Sequence, residues 1–278
     1  MRMKAPMHAE TPKPVYRHPL RRKVGRQYFI LRRKWQDVFS KTAFAYELGT
    51  RTLPFTLVTH QTPLLRKLKE VDMHLQHNKA HNLGLALRRI DGLLIRPEET
   101  FSYWHVLGLP TRRKGYKMGM QLQQGKVATA SGGGLCQLSN MIFWLAMHTP
   151  LEIVERWRHS FDVFPDANRT QPFGSGATCS YNYIDLRLAN RTAVKFQLRL
   201  RLDDEYLHGE VRSDRPPEVE YEVFESDHLF RTEYWGHTRH NRIARHVKDK
   251  DSGEILRTEP LVENHAITMY NPLLEGGE

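Results

Sequence analysis

Cysteine is scarce in this chain: two residues among 278, Cys136 and Cys179. Two thiols exclude a disulfide-stapled scaffold and point to reduced side chains in a cytoplasmic setting. Long apolar runs are missing too. No stretch approaches the roughly 20 residues of a membrane span, and the N-terminal "MRMKAPMHAETPKPVYRHPLRRK" lacks the apolar core of a secretory signal. Acidic residues are the third deficit. Against 42 lysines and arginines stand 31 acids, a net charge of +11. Such an excess implies an acidic partner: nucleic acid, anionic lipid, a wall polymer or a phosphorylated metabolite. The nucleic-acid class rests on net charge alone and is the least favoured.

Two chemistries are missing their key residues. The glycine-rich stretch "SGGGLCQLS" has no lysine, so it is not a phosphate-binding P-loop. A cysteine phosphatase would need an arginine about six residues after its thiol, and Ile142 stands there. A zinc site from Cys136, His159 and Cys179 would have scattered ligands. His77 and His81 lie one helical turn apart without the metalloprotease glutamate. No metal and no cofactor is expected.

What the sequence does have is patterned. Residues 1–20 are rich in proline and read as a mobile basic arm. From Arg21 the chain turns helical, with Val24, Tyr28, Leu31, Trp35 and Val38 spaced by three and four. Arg21, Arg22, Lys23, Arg26, Arg32, Arg33 and Lys34 surround them. Helix 21–39 is therefore either packed on a core or laid peripherally on an anionic membrane. A second helix is expected from Thr62 to about Gln76, and buried structure around Leu83, Leu85, Leu87 and Ile90. The apolar "LCQLSNMIFWLAM" reads as a buried helix stopped by Pro150. Beyond Leu151, "LEIVERWRHSFDVF", "ATCSYNYIDLRLAN" and "AVKFQLRLRL" alternate with period two, as strands do. "VKDKDSGEILRTEPL" reads as a hairpin. Helices first and antiparallel strands after give an α+β fold.

Three glycines, Gly132, Gly133 and Gly134, stand almost directly before Cys136. A thiol in the first turn of the following helix would gain thiolate character from unpaired N–H groups and the helix dipole. The expected triad is Cys136 as nucleophile, His159 as base and Asp185 as its orienting acid, with Asp162 and Asp166 as competitors for the last role. The amides of Gly133 to Cys136 would form an oxyanion hole assisted by Gln137, with Ser139 in the same turn. The order Cys, His, Asp parallels transglutaminase-like and papain-like enzymes. The rival reading is a binding module that holds an anionic group at the glycine-rich helix start.

Several segments together resemble the VanW family, named for an accessory protein encoded in some glycopeptide (vancomycin) resistance clusters. They are "FSYWHVLG" with "KGY", "SGGGLCQLSN", "LEIVERWRHS" and "YIDLRLANRT". The likeness runs from about residue 98 to residue 192. It divides the chain into the arm 1–20, a helical region 21–97, a VanW-like core 98–204 and a β-rich extension 205–278. The resemblance implies a cell-envelope setting, and with it a peptidoglycan-type peptide or precursor as ligand. One departure is plain. Gly176-Ala177-Thr178 stands where the resemblance implies Asp-Ala-Thr, and Cys179 stands where an aliphatic residue is common.

Overall fold

The computed structural model describes residues 18–65, 73–123, 126–163 and 171–270. Most of the expected arm, as well as Asp166, lies outside these residues. Helix α1 (Pro19–Phe39) comes first, its N-terminus set by proline at the first helical position and by His18, whose Nδ1 accepts from Leu20 N. Strands β1 (Ala43–Phe44) and β2 (Phe55–Pro63) precede helix α2 (Met73–Ile90). Next come β3 (Leu93–Ile95), β4 (Glu99–Ser102) and the short α3 (Tyr103–Leu107). The hairpin β5 (Met118–Gln123) and β6 (Lys126–Ser131) leads into α4 (Cys136–Met147). The rest is strand: β7 (Glu152–Glu155), β8 (Phe161–Asp162), β9 (Arg187–Ala189), β10 (Phe196–Leu202) and β11 (Tyr206–Ser213), then the long β12 (Val219–Glu233), β13 (Gly236–Asp249) and β14 (Ile255–Thr268).

The strands form three four-stranded sheets, ordered β1-β4-β9-β7, β2-β11-β10-β3 and β12-β13-β14-β8. Among the described residues only the β1–β4 and β8–β14 pairings are parallel. The fold is α+β, as the patterning implies.

Helix α4 occupies the junction of the first two sheets. Ile142 and Ala146 meet Ile95, Phe196, Leu198 and Val211 of the second sheet and Phe101 and Leu188 of the first. Ala146 and Phe143 are almost wholly buried, as a helix that is apolar all round must be. Gly209 in β11 lets α4 approach closely, because a Cβ there would lie 2.8 Å from Leu145 Cδ1.

Several expected boundaries move. Thr62 and Pro63 end β2 instead of opening a helix, because β2 gains a full antiparallel partner in β11 (His60↔Gly209, Thr62↔Leu207). Residues 66–72 of that expected helix lie outside the described ones. The apolar positions Leu83, Leu87 and Ile90 belong to α2, at helical spacing. The border at residue 204 falls inside the β10–β11 hairpin, where Leu202 pairs with Leu207. The second sheet therefore joins strands from regions 21–97, 98–204 and 205–278. Of "ATCSYNYIDLRLAN" only Arg187–Ala189 is strand. The preceding residues form a turn closed by the Ser180↔Ile184 bridge.

Candidate functional site

Each glycine of the run packs closely against a neighbouring segment. Gly132 and Gly134 have φ of +74° and +92°, which favour glycine outright. A Cβ on Gly132 would lie 2.5 Å from Pro110 Cβ, and one on Gly134 would lie 2.7 Å from Lys79 Cβ. Gly133 and Gly119 of β5 face each other backbone to backbone, and a Cβ on either would penetrate the other's carbonyl group. Helix α2 clamps this contact from behind. Asn82 Nδ2 donates to Gly133 O and to Lys117 O, both at 3.0 Å, while Asn82 Oδ1 accepts from Lys117 N at 2.8 Å. Asn78 Nδ2 donates to Met118 O at 2.8 Å. The buried polar stripe of α2 thus satisfies backbone groups that would otherwise be stranded in the interior.

Of the donors expected to hold an oxyanion, Gly133 N and Gln137 Nε2 are engaged in the same way. The amides of Gly132 and Gly133 donate to Lys117 O and Ala130 O. Gln137 Nε2 donates to Thr62 Oγ1 and Pro63 O, both at 2.9 Å, and fastens α4 to β2. Ser139 is fully buried and donates to Ala177 O at 2.7 Å.

Cys136 does open α4, as the sequence implies, and the residue is half-buried. Its thiol is nonetheless pushed up, not down. Burial is the main cause, and backbone hydrogen bonds with Cys179 and within Cys136 itself draw it only partly back. Cys179 is pushed up further, by burial and then by the nearby Asp185 carboxylate and Cys136. The structure therefore brings Cys136, Cys179 and Asp185 into one neighbourhood, with Tyr103 beside them donating to Leu135 O at 2.9 Å.

His159 stands in the irregular segment between β7 and β8. Burial and then the Arg158 charge depress its pKa. Asp185 is engaged elsewhere. It accepts from Ser102 Oγ (2.6 Å), Trp104 N (3.1 Å), Leu186 N (3.0 Å) and Arg187 Nε (3.0 Å). Asp162 pairs with Arg239 at 3.3 Å and accepts from Tyr270 OH at 2.9 Å. Both carboxylates are thus structural partners in these contacts. The glycine at 176 also has a local reason, since a Cβ there would lie 2.7 Å from Asn140 Oδ1, and Asn140 Oδ1 accepts from Ala177 N. An aspartate at that position would have to displace this bond between α4 and the Ala177 amide.

Sequence reasoning missed a broad hollow that carries polar chemistry. The solvent face of the second sheet cups an open groove of about 570 Å³. Arg199 and Arg201 of β10, His208 and Glu210 of β11, and Thr59 and Gln61 of β2 line it. Period-two alternation in "FQLRLRL" and "YLHGEVRS" puts these polar residues on one face, so the signal was present in the sequence. What the sequence withheld was that β2, about 150 residues upstream of β11, completes the floor (Glu210↔Thr59, His208↔Gln61). Arg199 Nε bonds Asp91 Oδ1 at 3.0 Å, and His208 Nε2 bonds Asp203 Oδ2 at 2.5 Å. Arg201 reaches Asp203 only at 3.4 Å and its side chain is 67% exposed. Neither Cys136 nor His159 lines this groove. Among the described residues no cluster of three or more His, Cys, Asp or Glu is placed to hold a metal ion.

Buried and half-buried histidines set an acid limit. His60, His148, His159, His240 and His265 all have pKa values depressed first of all by burial. His240 is fully buried, bonds Thr238 Oγ1 at 2.8 Å and His265 Nδ1 at 2.7 Å, and falls from 6.5 to about 4. Between these values the unfolded chain binds a proton that the folded chain refuses. Stability is therefore complete above pH 6.5 and declines as pH falls towards about 4. For His240 the loss is on the order of 3 kcal/mol. Urea unfolding at stepped pH checks it, and His240→Asn should flatten that part of the profile.

Comparison with known proteins gives two relatives and a family. Residues 78–212 match the family described as "VanW like protein". The Vancomycin B-type resistance protein VanW of Enterococcus faecalis (strain V583) is 35% identical over 237 residues, covering 85% of this chain and 86% of that protein. The uncharacterized protein YoaR of Bacillus subtilis (strain 168) is 35% identical over 114 residues, which are 41% of this chain and 36% of that protein. No solved structure matches the chain.

Proposed function

We propose a role for this chain from the premise that it belongs to the VanW family: it is a binding protein of glycopeptide-resistance and cell-envelope biology. Its ligand is a peptidoglycan-type precursor with anionic groups, and the seat is the polar groove of the second sheet. The observation that carries this reading is the groove itself. It is the hollow where guanidinium, imidazole, hydroxyl and amide groups converge from three strands. A precursor carrying pyrophosphate, sugar and peptide offers acceptors for the guanidinium forks and donors for Glu210 and Gln61. The resistance setting comes from the name of the Enterococcus relative. A cysteine acyl-transfer role for Cys136, His159 and Asp185 is the second reading. In its favour stands only the thiol's place at the start of α4, and the raised pKa of that thiol counts against it.

Calorimetric titration with a nucleotide-activated muramyl peptide separates the two. Arg201→Glu should weaken binding about tenfold or more through charge reversal at an exposed groove wall, while Cys136→Ala leaves it unchanged. Retained affinity in Arg201→Glu, or turnover of the peptide that stops in Cys136→Ala, would overturn the binding reading.

A further inference from the structure

Helix α1 buries no residue at all. Its contacts with the body fall on one edge and include two ion pairs. Arg33 bonds both carboxylate oxygens of Glu155, at 2.8 and 2.7 Å, and Asp37 receives Arg187 Nη2 on both oxygens at 2.8 Å. Phe29 stacks on Tyr183 at 5.7 Å, and Ile30 is half-buried between these anchors.

At about 100° per residue, Arg33 and Asp37 lie opposite the apolar stripe. Leu20, Val24, Tyr28, Leu31, Trp35 and Val38 share an arc of about 100° that faces away from the protein. Leu31, Trp35 and Val38 are 64%, 68% and 77% exposed. Arg21 and Arg32 flank the stripe on one side, Lys23 and Lys34 on the other, and all four are exposed. The helix carries one acid, Asp37, and it faces inwards.

We infer that α1 is an interfacial anchor that lays this outward stripe into an anionic phospholipid surface, with the body of the protein held above it by the Arg33–Glu155 and Asp37–Arg187 pairs. Charge complementarity selects the occupant. Apolar side chains with a tryptophan and a tyrosine suit the headgroup boundary, and cations on both flanks suit phosphate and anionic headgroups. A second copy of the chain would instead set these cations against an identical set, with no outward acid to meet them. Among the described residues no helix is long and apolar enough to cross a membrane, so α1 lies on the surface and does not span it.

The test is flotation of the full chain with large unilamellar vesicles, either pure phosphatidylcholine or an equal mixture with phosphatidylglycerol. The wild type should float with the anionic vesicles and be released as salt is raised. Leu31→Glu/Trp35→Glu removes only exposed side chains, so its far-UV circular dichroism should be unchanged, while vesicle affinity falls by about tenfold or more. A wild type that stays unbound at low salt, or a double variant that floats equally well, overturns the inference. So does a light-scattering dimer that the double variant converts to monomer, since the stripe would then seat a second copy.

Discussion

Gly133→Ala is expected to leave the protein largely unfolded. The new Cβ would enter the space of the Gly119 carbonyl, and both partners are backbone, so no side chain can swing aside. The contact is fixed on the far side by Asn82, which bonds Gly133 O and both polar atoms of the Lys117 peptide edge. Overpacking in well-filled interiors costs about 1–3 kcal/mol where neighbours can shift. Here a hairpin or a helix start must move as a unit, and the cost should reach about 4 kcal/mol or more, a large share of a domain's stability. Gly119→Ala should behave alike, because its Cβ meets Gly133 O in return. Urea denaturation followed by tryptophan fluorescence reads the effect. A stable Gly133→Ala protein that had lost only ligand binding would show that the glycines serve a ligand's approach and not the packing of β5 on α4.

The second large effect is expected at Asp185. Its carboxylate is 1% exposed and collects four hydrogen bonds, from Ser102 Oγ, two backbone amides and Arg187 Nε. Burial raises its pKa, although Ser102, Arg187 and the Trp104 amide pull the other way. Asp185→Ala strands these donors and leaves the Arg187 guanidinium with Asp37 and Glu155 as its acidic partners. Breaking a buried pair by removing one partner costs about 3–5 kcal/mol. Because Arg187 also receives α1 through Asp37, the variant should loosen α1 as well, measurable as faster amide exchange between residues 25 and 39 than in wild type. An Asp185→Ala protein of unchanged stability would place the carboxylate in a functional role and not in this network.

These two residues show how the sequence speaks and where it stops. The glycine run and Asp185 both drew attention as chemistry, because glycine density beside a thiol and an acid on a following segment match the grammar of a cysteine enzyme. Their local properties were legible: Gly132 and Gly134 do adopt positive φ, Cys136 does begin a helix, and that helix is buried. Their partners were not. Gly119 lies 14 positions before Gly133 in the chain, and Asp185 meets Ser102 from 83 positions away. No window of local sequence contains either contact. The thiol's pKa is a similar case. Helix position argued for a lowered value, and burial, a tertiary property, outweighed it.

The sequence by itself determined the α+β class, the amphipathic stripe of α1, the apolar helix α4, the long C-terminal hairpin and the excess of positive charge. Each of these follows from periodicity, turn chemistry or composition within a short span of chain. Only the tertiary structure decided that α1 docks by ion pairs and turns its apolar stripe outwards. Periodicity shows that a helix has an apolar face, but not which way that face points. The same holds for the groove: alternation made β10 and β11 polar on one side, and the pairing of β2 with β11 turned two polar strand faces into a shared floor. Pairing across about 150 residues depends on which edges are free once the rest has folded, and that information is held by the assembled sheet rather than by any one strand.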